Sequence, residues 1–118
     1  MLDYFRKLIN KNKKKFLFVA ELSANHEGNL KNAIKLIKLS KKNNVDFVKF
    51  QTYEKNSMTI NSKQETFLIK QGIWKNMNLW ELYGKAQTPY HWQKKLFDEA
   101  SKNKIKAFST PFDTKGVE

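Results

Sequence analysis

Two apolar runs of strand length flank a stretch of helical periodicity, and this order constrains the fold more than any other feature of the sequence. Residues 16–22 are apolar except for Glu21, with aromatic and branched side chains, which is typical of a strand buried on both faces of a parallel sheet. Asn29 is a suitable helix cap, and from Leu30 the apolar residues recur at the spacing of one helix face. Residues 45–51 form the second predicted strand, in which apolar residues are interrupted by Asp46, Lys49 and Gln51. The order predicts a βαβ unit.

The rest of the chain continues this alternation of helices and strands. Apolar spacing predicts a short helix over residues 79–86 and then a longer helix, which Thr88 caps and Pro89 begins. Residues 104–110 are predicted to form a third strand. Two weaker signals are a short helical stretch near residues 64–70 and the start of another helix over residues 112–118.

Alternating strands and helices indicate an α/β fold with a parallel sheet. Three strands cannot close a (β/α)8 barrel, which needs about 250 residues. The chain of 118 residues is therefore expected to be the opening third of something larger. Its folded part is predicted over residues 16–118, preceded by a basic segment over residues 1–15. That segment is either a short amphipathic helix or a frayed terminus.

The net charge is strongly positive, with 23 Lys plus Arg against 11 Asp plus Glu. Arg6 is the only arginine, however, and proteins that read bases and phosphates favour its forked guanidinium group. We therefore interpret the dispersed lysines as a solvated surface and expect no nucleic-acid partner. The absence of cysteine excludes disulfides and a thiol nucleophile. The longest apolar run, residues 16–20, is far shorter than the roughly 20 residues of a membrane span, so we expect a cytoplasmic protein without a membrane partner.

Each predicted strand carries polar side chains at or near its carboxyl end. Alternation along the strands places Glu21, Lys49, Gln51 and Thr110 on the sides that also carry preceding apolar residues. Parallel α/β folds place their chemistry at the carboxyl ends of strands, so these four residues are predicted to face one cavity. Such a cavity suits an anionic substrate with hydroxyl groups. The alternative is that Glu21 and Lys49 form a structural ion pair.

His26 follows the first predicted strand, in the loop that would border this cavity. A single histidine in a loop is more often exposed to solvent, or a residue that fixes the loop by hydrogen bonds, than a metal ligand. His91 lies on a predicted exterior helix, and we assign it no role.

Three ordered motifs resemble the sialic acid synthase family over residues 16–118. They are Ala-Glu-Leu-Ser-Ala-Asn-His-Glu-Gly at residues 20–28, Val-Lys-Phe-Gln-Thr-Tyr at residues 48–53 and Phe-Ser-Thr-Pro-Phe-Asp at residues 108–113. Leu22 and Ser23 resemble the pseudaminic acid synthases of this family more than its N-acetylneuraminate synthases, which tend to have Ile-Gly there.

The resemblance implies the N-terminal portion, strands 1–3, of a (β/α)8 TIM barrel that is incomplete, lacking its later strands and a small antifreeze-like domain. It implies a homodimer that condenses phosphoenolpyruvate with an open-chain acetamido-hexose, an amino sugar. The products are pseudaminic acid, or a related sialic acid, and phosphate, for surface polysaccharide or glycoprotein glycans. A divalent metal, Mn or Mg, polarises the sugar aldehyde in this family, and its ligands lie downstream of residue 118. This fragment alone is expected to be inactive.

The resemblance also implies a role for each candidate residue. Glu21 matches a glutamate that contacts the sugar and is a candidate for proton handling. Lys49 matches the lysine that meets phosphoenolpyruvate, and Thr110 matches a hydroxyl that binds the same substrate. Gln51 matches a glutamine that contacts the sugar. Asn25, in the first motif, is carried over as a further substrate-binding residue.

Three alternatives stay open at this point. The first is the N-acetylneuraminate branch of the family, or another barrel enzyme that condenses phosphoenolpyruvate. The second is a small basic nucleic-acid-binding module, for which binding would depend strongly on salt. The third is a non-catalytic remnant of a synthase.

Overall fold

A computed structural model describes residues 2–12 and 16–118. The elements are α1 (Leu2–Asn12), β1 (Val19–Glu21), α2 (Leu30–Lys42), β2 (Phe47–Thr52), α3 (Lys55–Met58), a short 3-10 helix (Glu65–Phe67), α4 (Leu79–Ala86), α5 (Tyr90–Lys102) and β3 (Lys106–Pro111). The strands form one parallel sheet in the order β1-β2-β3. The predicted α/β fold with a parallel sheet is confirmed.

The hydrophobic core lies between one face of the sheet and the helices α2 and α5. Val48 and Phe50 alternate along β2 and are buried on that face. They belong to one cluster with Ile37 of α2 and Leu96 of α5, both fully buried. This packing leaves the opposite face of the sheet uncovered by α2 and α5, and that face carries the other half of each strand's side chains.

The first strand is shorter and more exposed than its sequence predicts. Only Val19–Glu21 pairs with β2, and Phe16 and Phe18 are 62% and 64% exposed. β1 is an edge strand with β2 on one side, so the residues before it lie outside the ladder. The expectation of a strand buried on both faces is therefore wrong for this chain. An apolar run identifies a strand, but the neighbours that cover it come from elsewhere in the fold.

The predicted start of α5 is also wrong, by one residue. The helix begins at Tyr90, with Pro89 at the capping position. Thr88 does not cap it, because its hydroxyl group is hydrogen-bonded to His26. By contrast, Asn29 caps α2 as predicted, since its side-chain oxygen accepts a backbone hydrogen bond at 2.8 Å.

Residues 112–118 form turns rather than the predicted start of a helix. Asp113 Oδ1 accepts the backbone N–H of Gly116 at 2.7 Å, which closes a turn over the residues that a helix would need. The remaining predicted strands and helices lie within about three residues of their predicted positions, a usual margin for element boundaries, whereas α3 lies where the sequence predicts no element. The short helical stretch expected near residues 64–70 is a 3-10 helix of three residues.

Helix α1 resolves the alternatives for the N-terminal segment in favour of a helix over residues 2–12; residues 1 and 13–15 lie outside the described part. The ammonium of Lys106 lies 4.3 Å from the ring centre of Tyr4 and bonds its hydroxyl. Because Lys106 begins β3, α1 lies at the amino-terminal end of the sheet. None of the helices in residues 2–12 and 16–118 is long and apolar enough to cross a membrane.

Candidate functional site

Four of the five candidate residues lie on the uncovered face of the sheet, near the carboxyl ends of the strands. Parallel pairing sets Glu21 opposite Lys49, and it sets Gln51 opposite Thr110. Partners in register project to the same face, and residues two apart on one strand do so as well. An acid, an amine, an amide and a hydroxyl thus lie side by side across three strands, as alternation predicts.

Glu21 and Lys49 form an ion pair at this edge of the sheet. Lys49 Nζ donates to Glu21 Oε2, and the backbone N–H of Ser23 donates to Glu21 Oε1 at 3.3 Å. The side chains of Lys49 and Glu21 are 28% and 39% exposed. A pair this accessible to water contributes at most about 1 kcal/mol to stability. The ion pair that the sequence analysis gave as a structural alternative is therefore present, and its contribution to stability is small.

The candidate residues border an open surface rather than an enclosed cavity. Val19 and Phe108 share this face of the sheet and are 47% and 38% exposed. A barrel interior needs more strands than these three to enclose it, so the cavity expected at the strand ends stays a prediction.

Asn25 lies apart from the other four candidates. It is exposed in the loop after β1 and lines a cavity of about 460 Å³ together with Glu27, Trp74 and Lys85. Of the described residues that line this cavity, none is another candidate residue. The structure therefore does not bring Asn25 together with the acid and amine at the strand ends.

His26 is buried, 2% exposed, and fixes its loop by hydrogen bonds. Its Nδ1 accepts the backbone N–H of Gly28 at 3.0 Å, so Nε2 carries the ring proton and donates to Thr88 Oγ1, also at 3.0 Å. The ring of Trp92 packs against it edge to face, with 5.3 Å between ring centroids. Both ring nitrogens are occupied, in agreement with the loop-fixing interpretation and not with a metal ligand.

The part of the chain that the structure describes does not by itself form a site for the divalent metal that the resemblance implies. In residues 2–12 and 16–118, no three or more His, Cys, Asp or Glu side chains are placed to hold a metal ion together. The carboxylate of Glu21, at the end of β1, is engaged by Lys49 and by Ser23. No chemical step is therefore assigned to a metal on these residues.

We expect His26 to make stability fall as the pH falls below its usual pKa of 6.5. Burial lowers the pKa of His26 in the folded state. The unfolded state then binds more protons, so the stabilisation is complete above pH 6.5 and is lost as the pH falls towards the lowered value. Urea unfolding from about pH 8 to about pH 5 measures this loss.

The matched control is His91, an exposed histidine on α5. We expect His26→Gln to reduce the pH dependence of the free energy of unfolding, and His91→Gln to leave it as in the wild type. A pH dependence that persists unchanged in His26→Gln would contradict this assignment.

A second polar cluster joins the segments that follow β2 and β3, and the sequence analysis assigned it no role. Asp113 Oδ2 accepts the hydroxyl groups of Ser57 and Tyr90. The hydrogen bonds from Ser57 and then Tyr90 lower the pKa of Asp113, whereas burial and then the Asp113 carboxylate raise the pKa of Tyr90. The third motif contains Asp113, but its partners are 56 and 23 residues away, so no local spacing indicates them. These hydrogen bonds attach the segment after β3, which follows Thr110, to α3 and α5.

Comparisons with known proteins give a consistent result. Residues 36–118 match the sequence model of the family described as the NeuB family. The chain is 48% identical over 105 residues to the pseudaminic acid synthase of Campylobacter jejuni and 45% identical over 100 residues to that of Helicobacter pylori. These alignments cover 89% and 85% of this chain, but 31% and 29% of the relatives.

One solved structure supports the fold. The crystal structure of N-acetylneuraminic acid (sialic acid) synthetase from Leptospira borgpetersenii in complex with citrate superposes with a TM-score of 0.67. The sequence identity is 23%, and the match covers 86% of this chain and 30% of that one. The likeness confirms the predicted fold class. The chain spans about 30% of the length of the proteins it matches.

Proposed function

Because the chain belongs to the NeuB family, we propose that it supplies the first three strands of a nonulosonic acid synthase. The branch we assign is that of the pseudaminic acid synthases, since two relatives of that name are 48% and 45% identical to it. The observation that carries the proposal is the pair Glu21–Lys49 at the carboxyl edge of a parallel sheet in a chain of this family.

The proposed reaction joins phosphoenolpyruvate to an open-chain acetamido-hexose. The methylene carbon of phosphoenolpyruvate bonds to the aldehyde carbon of the sugar, and the aldehyde oxygen gains a proton. The oxocarbenium carbon left behind accepts water, which loses a proton. The bond from that carbon to the phosphate oxygen then breaks, and the proton of the new hydroxyl group passes to the departing phosphate, so that a keto acid and inorganic phosphate are released.

The four residues at the strand ends divide between the two substrates in this proposal. Lys49 binds the carboxylate or phosphate of phosphoenolpyruvate as a point charge, in exchange for Glu21. Thr110 donates its hydroxyl group to the same substrate. Glu21 and Gln51 contact the sugar, and Glu21 exchanges the proton that the aldehyde oxygen gains and the water loses.

We propose that the remaining parts of the enzyme come from residues outside 1–118. These are the other barrel strands, the antifreeze-like domain, the ligands of a Mn or Mg ion and the contacts of a homodimer. We assign phosphoenolpyruvate and an amino sugar as the ligands, with neither nucleic acid nor membrane as a partner. We place the protein in the cytoplasm, where phosphoenolpyruvate is formed.

The test is phosphate release by the complete gene product with phosphoenolpyruvate and a divalent metal. We expect release with the acetamido-hexose precursor of pseudaminic acid and little with the precursor of N-acetylneuraminic acid. Release with the second sugar alone would move the chain to the N-acetylneuraminate branch. Residues 1–118 by themselves are expected to release no phosphate, and no release by the complete product with any sugar would overturn the proposal.

A further inference from the structure

We propose that His26 is a positioning residue for Glu21. Its buried ring holds the loop after β1 in the conformation that directs the backbone N–H of Ser23 at the Glu21 carboxylate. The effect on turnover rests on the proposed function, whereas the effect on the loop rests on the hydrogen bonds alone. The ring nitrogens of His26 bond Gly28 and Thr88 rather than the Glu21 carboxylate, so His26 acts through the loop and is not itself a catalytic residue.

The backbone of this loop needs to be held. Ser23 has a φ of 38°, Glu27 has a φ of 54° and Gly28 has a φ of 68°. Residues other than glycine enter this left-handed region rarely, and they stay there only when surrounding contacts fix the conformation. The backbone N–H of Leu22 donates to the Lys49 carbonyl at 2.9 Å and attaches the start of the loop to β2. Two further backbone hydrogen bonds of 3.0 Å, from Asn25 to Leu22 and from Glu27 to Ala24, close turns within the loop but do not attach its second half to another element.

His26 supplies the attachment. Its Nδ1 accepts the N–H of Gly28, which is one of the positions with positive φ. Its Nε2 donates to Thr88, which directly precedes the capping residue of α5. The backbone carbonyl of His26 also accepts the N–H of Asn29 at 2.9 Å. Because His26 and Thr88 are both 2% exposed, water does not compete well for their hydrogen bond.

The attachment also links the ends of the first two strands. Thr88 pairs with Tyr53 through an isolated antiparallel bridge, and Tyr53 follows β2 directly. β2 carries Lys49, which donates to Glu21 Oε2, while the loop carries Ser23, which donates to Glu21 Oε1. The His26–Thr88 bond is therefore a second link between the two donors of the Glu21 carboxylate, beside the bond from the Leu22 backbone N–H to the Lys49 carbonyl at 2.9 Å.

The structural test is amide hydrogen exchange in the complete gene product. We expect exchange at Ser23 and Gly28 to be about tenfold faster in His26→Ala, since one hydrogen bond corresponds to about that factor. Thr88→Val keeps the shape of the side chain and removes only the acceptor, so it should give a smaller increase in the exchange rate at both amides. It is the variant to measure if His26→Ala does not fold. His91→Gln is the control and should leave both amides unchanged. Unchanged exchange at Ser23 in a folded His26→Ala or Thr88→Val variant would overturn the proposal.

The kinetic test separates positioning from general stability. In Thr88→Val we expect kcat to fall about tenfold and the KM for the sugar to rise, while the dissociation constant for phosphoenolpyruvate stays within about twofold, because Lys49 lies on β2. A residue that only stabilises the fold would reduce the active fraction, and with it the apparent kcat, but would leave the KM for the sugar unchanged. An unchanged KM for the sugar would therefore count against the proposal. If the wild-type protein shows no turnover, the proposed function fails, and the exchange measurement alone decides whether His26 positions the loop.

Discussion

Glu21→Gln is expected to lower the rate of phosphate release by about 10²–10⁴-fold, the usual effect of losing a general acid or base. Gln has nearly the same size as Glu and cannot exchange a proton in the same way. The substitution also removes the negative charge that Lys49 contacts in the free protein. Binding of phosphoenolpyruvate should therefore stay the same or become tighter, even though turnover is lost. Steady-state phosphate release and a direct binding titration measure the two effects separately.

Glu81→Gln is the matched control for this substitution. Glu81 is exposed in the first turn of α4, so the change in charge is the same and the strand ends are not touched. We expect turnover and phosphoenolpyruvate binding at the wild-type level. Normal turnover in Glu21→Gln, or a loss of phosphoenolpyruvate affinity as large as the loss of turnover, would remove Glu21 from the proposed proton transfer.

Lys49→Ala is expected to raise the dissociation constant of phosphoenolpyruvate by about 10–150-fold, which corresponds to the roughly 1.5–3 kcal/mol of a hydrogen bond to a charged group. Sugar binding should change by much less, since the sugar is assigned to Glu21 and Gln51. Calorimetric titration with each substrate measures the difference. The loss should shrink at high salt, because Lys49 is partly exposed and its attraction for an anion is screened.

The control for Lys49→Ala is Lys38→Ala, which removes an exposed lysine from α2. It tests whether the overall positive charge of the protein, rather than one ammonium, attracts phosphoenolpyruvate. We expect wild-type affinity in this variant. Equal weakening of both substrates in Lys49→Ala would contradict the assignment of Lys49 to phosphoenolpyruvate.

Most of the sheet could be predicted from the sequence, because its signals are local. The period of two along a strand determines which side chains share a face, and this is why Lys49 and Gln51 were expected beside Glu21 and Thr110. The exposure of Phe16 could not be predicted in this way. It depends on which elements cover a strand, and those elements are not encoded in the strand itself.

The parts of the site that the sequence did not reveal depend on contacts between distant residues. Thr88 is a residue type that often caps helices, yet its hydroxyl group is hydrogen-bonded to His26, which is 62 residues away in the chain. Likewise, the sequence after Pro111 predicts the start of a helix, whereas in the structure the side chain of Asp113 closes a turn there. In both cases a polar side chain makes a hydrogen bond that local propensity does not predict.

The sequential order of the strands in the sheet has a consequence for how the protein folds. Each strand pairs with the one before it in the chain, so no segment has to wait for a later one before it can join. The connection that brings β2 to β1 is roughly half as long as the one that brings β3 to β2, and halving a loop saves roughly 0.6 kcal/mol of closure entropy. The contact between the acid and the amine is therefore expected to form early, before the strand that carries the hydroxyl group has docked.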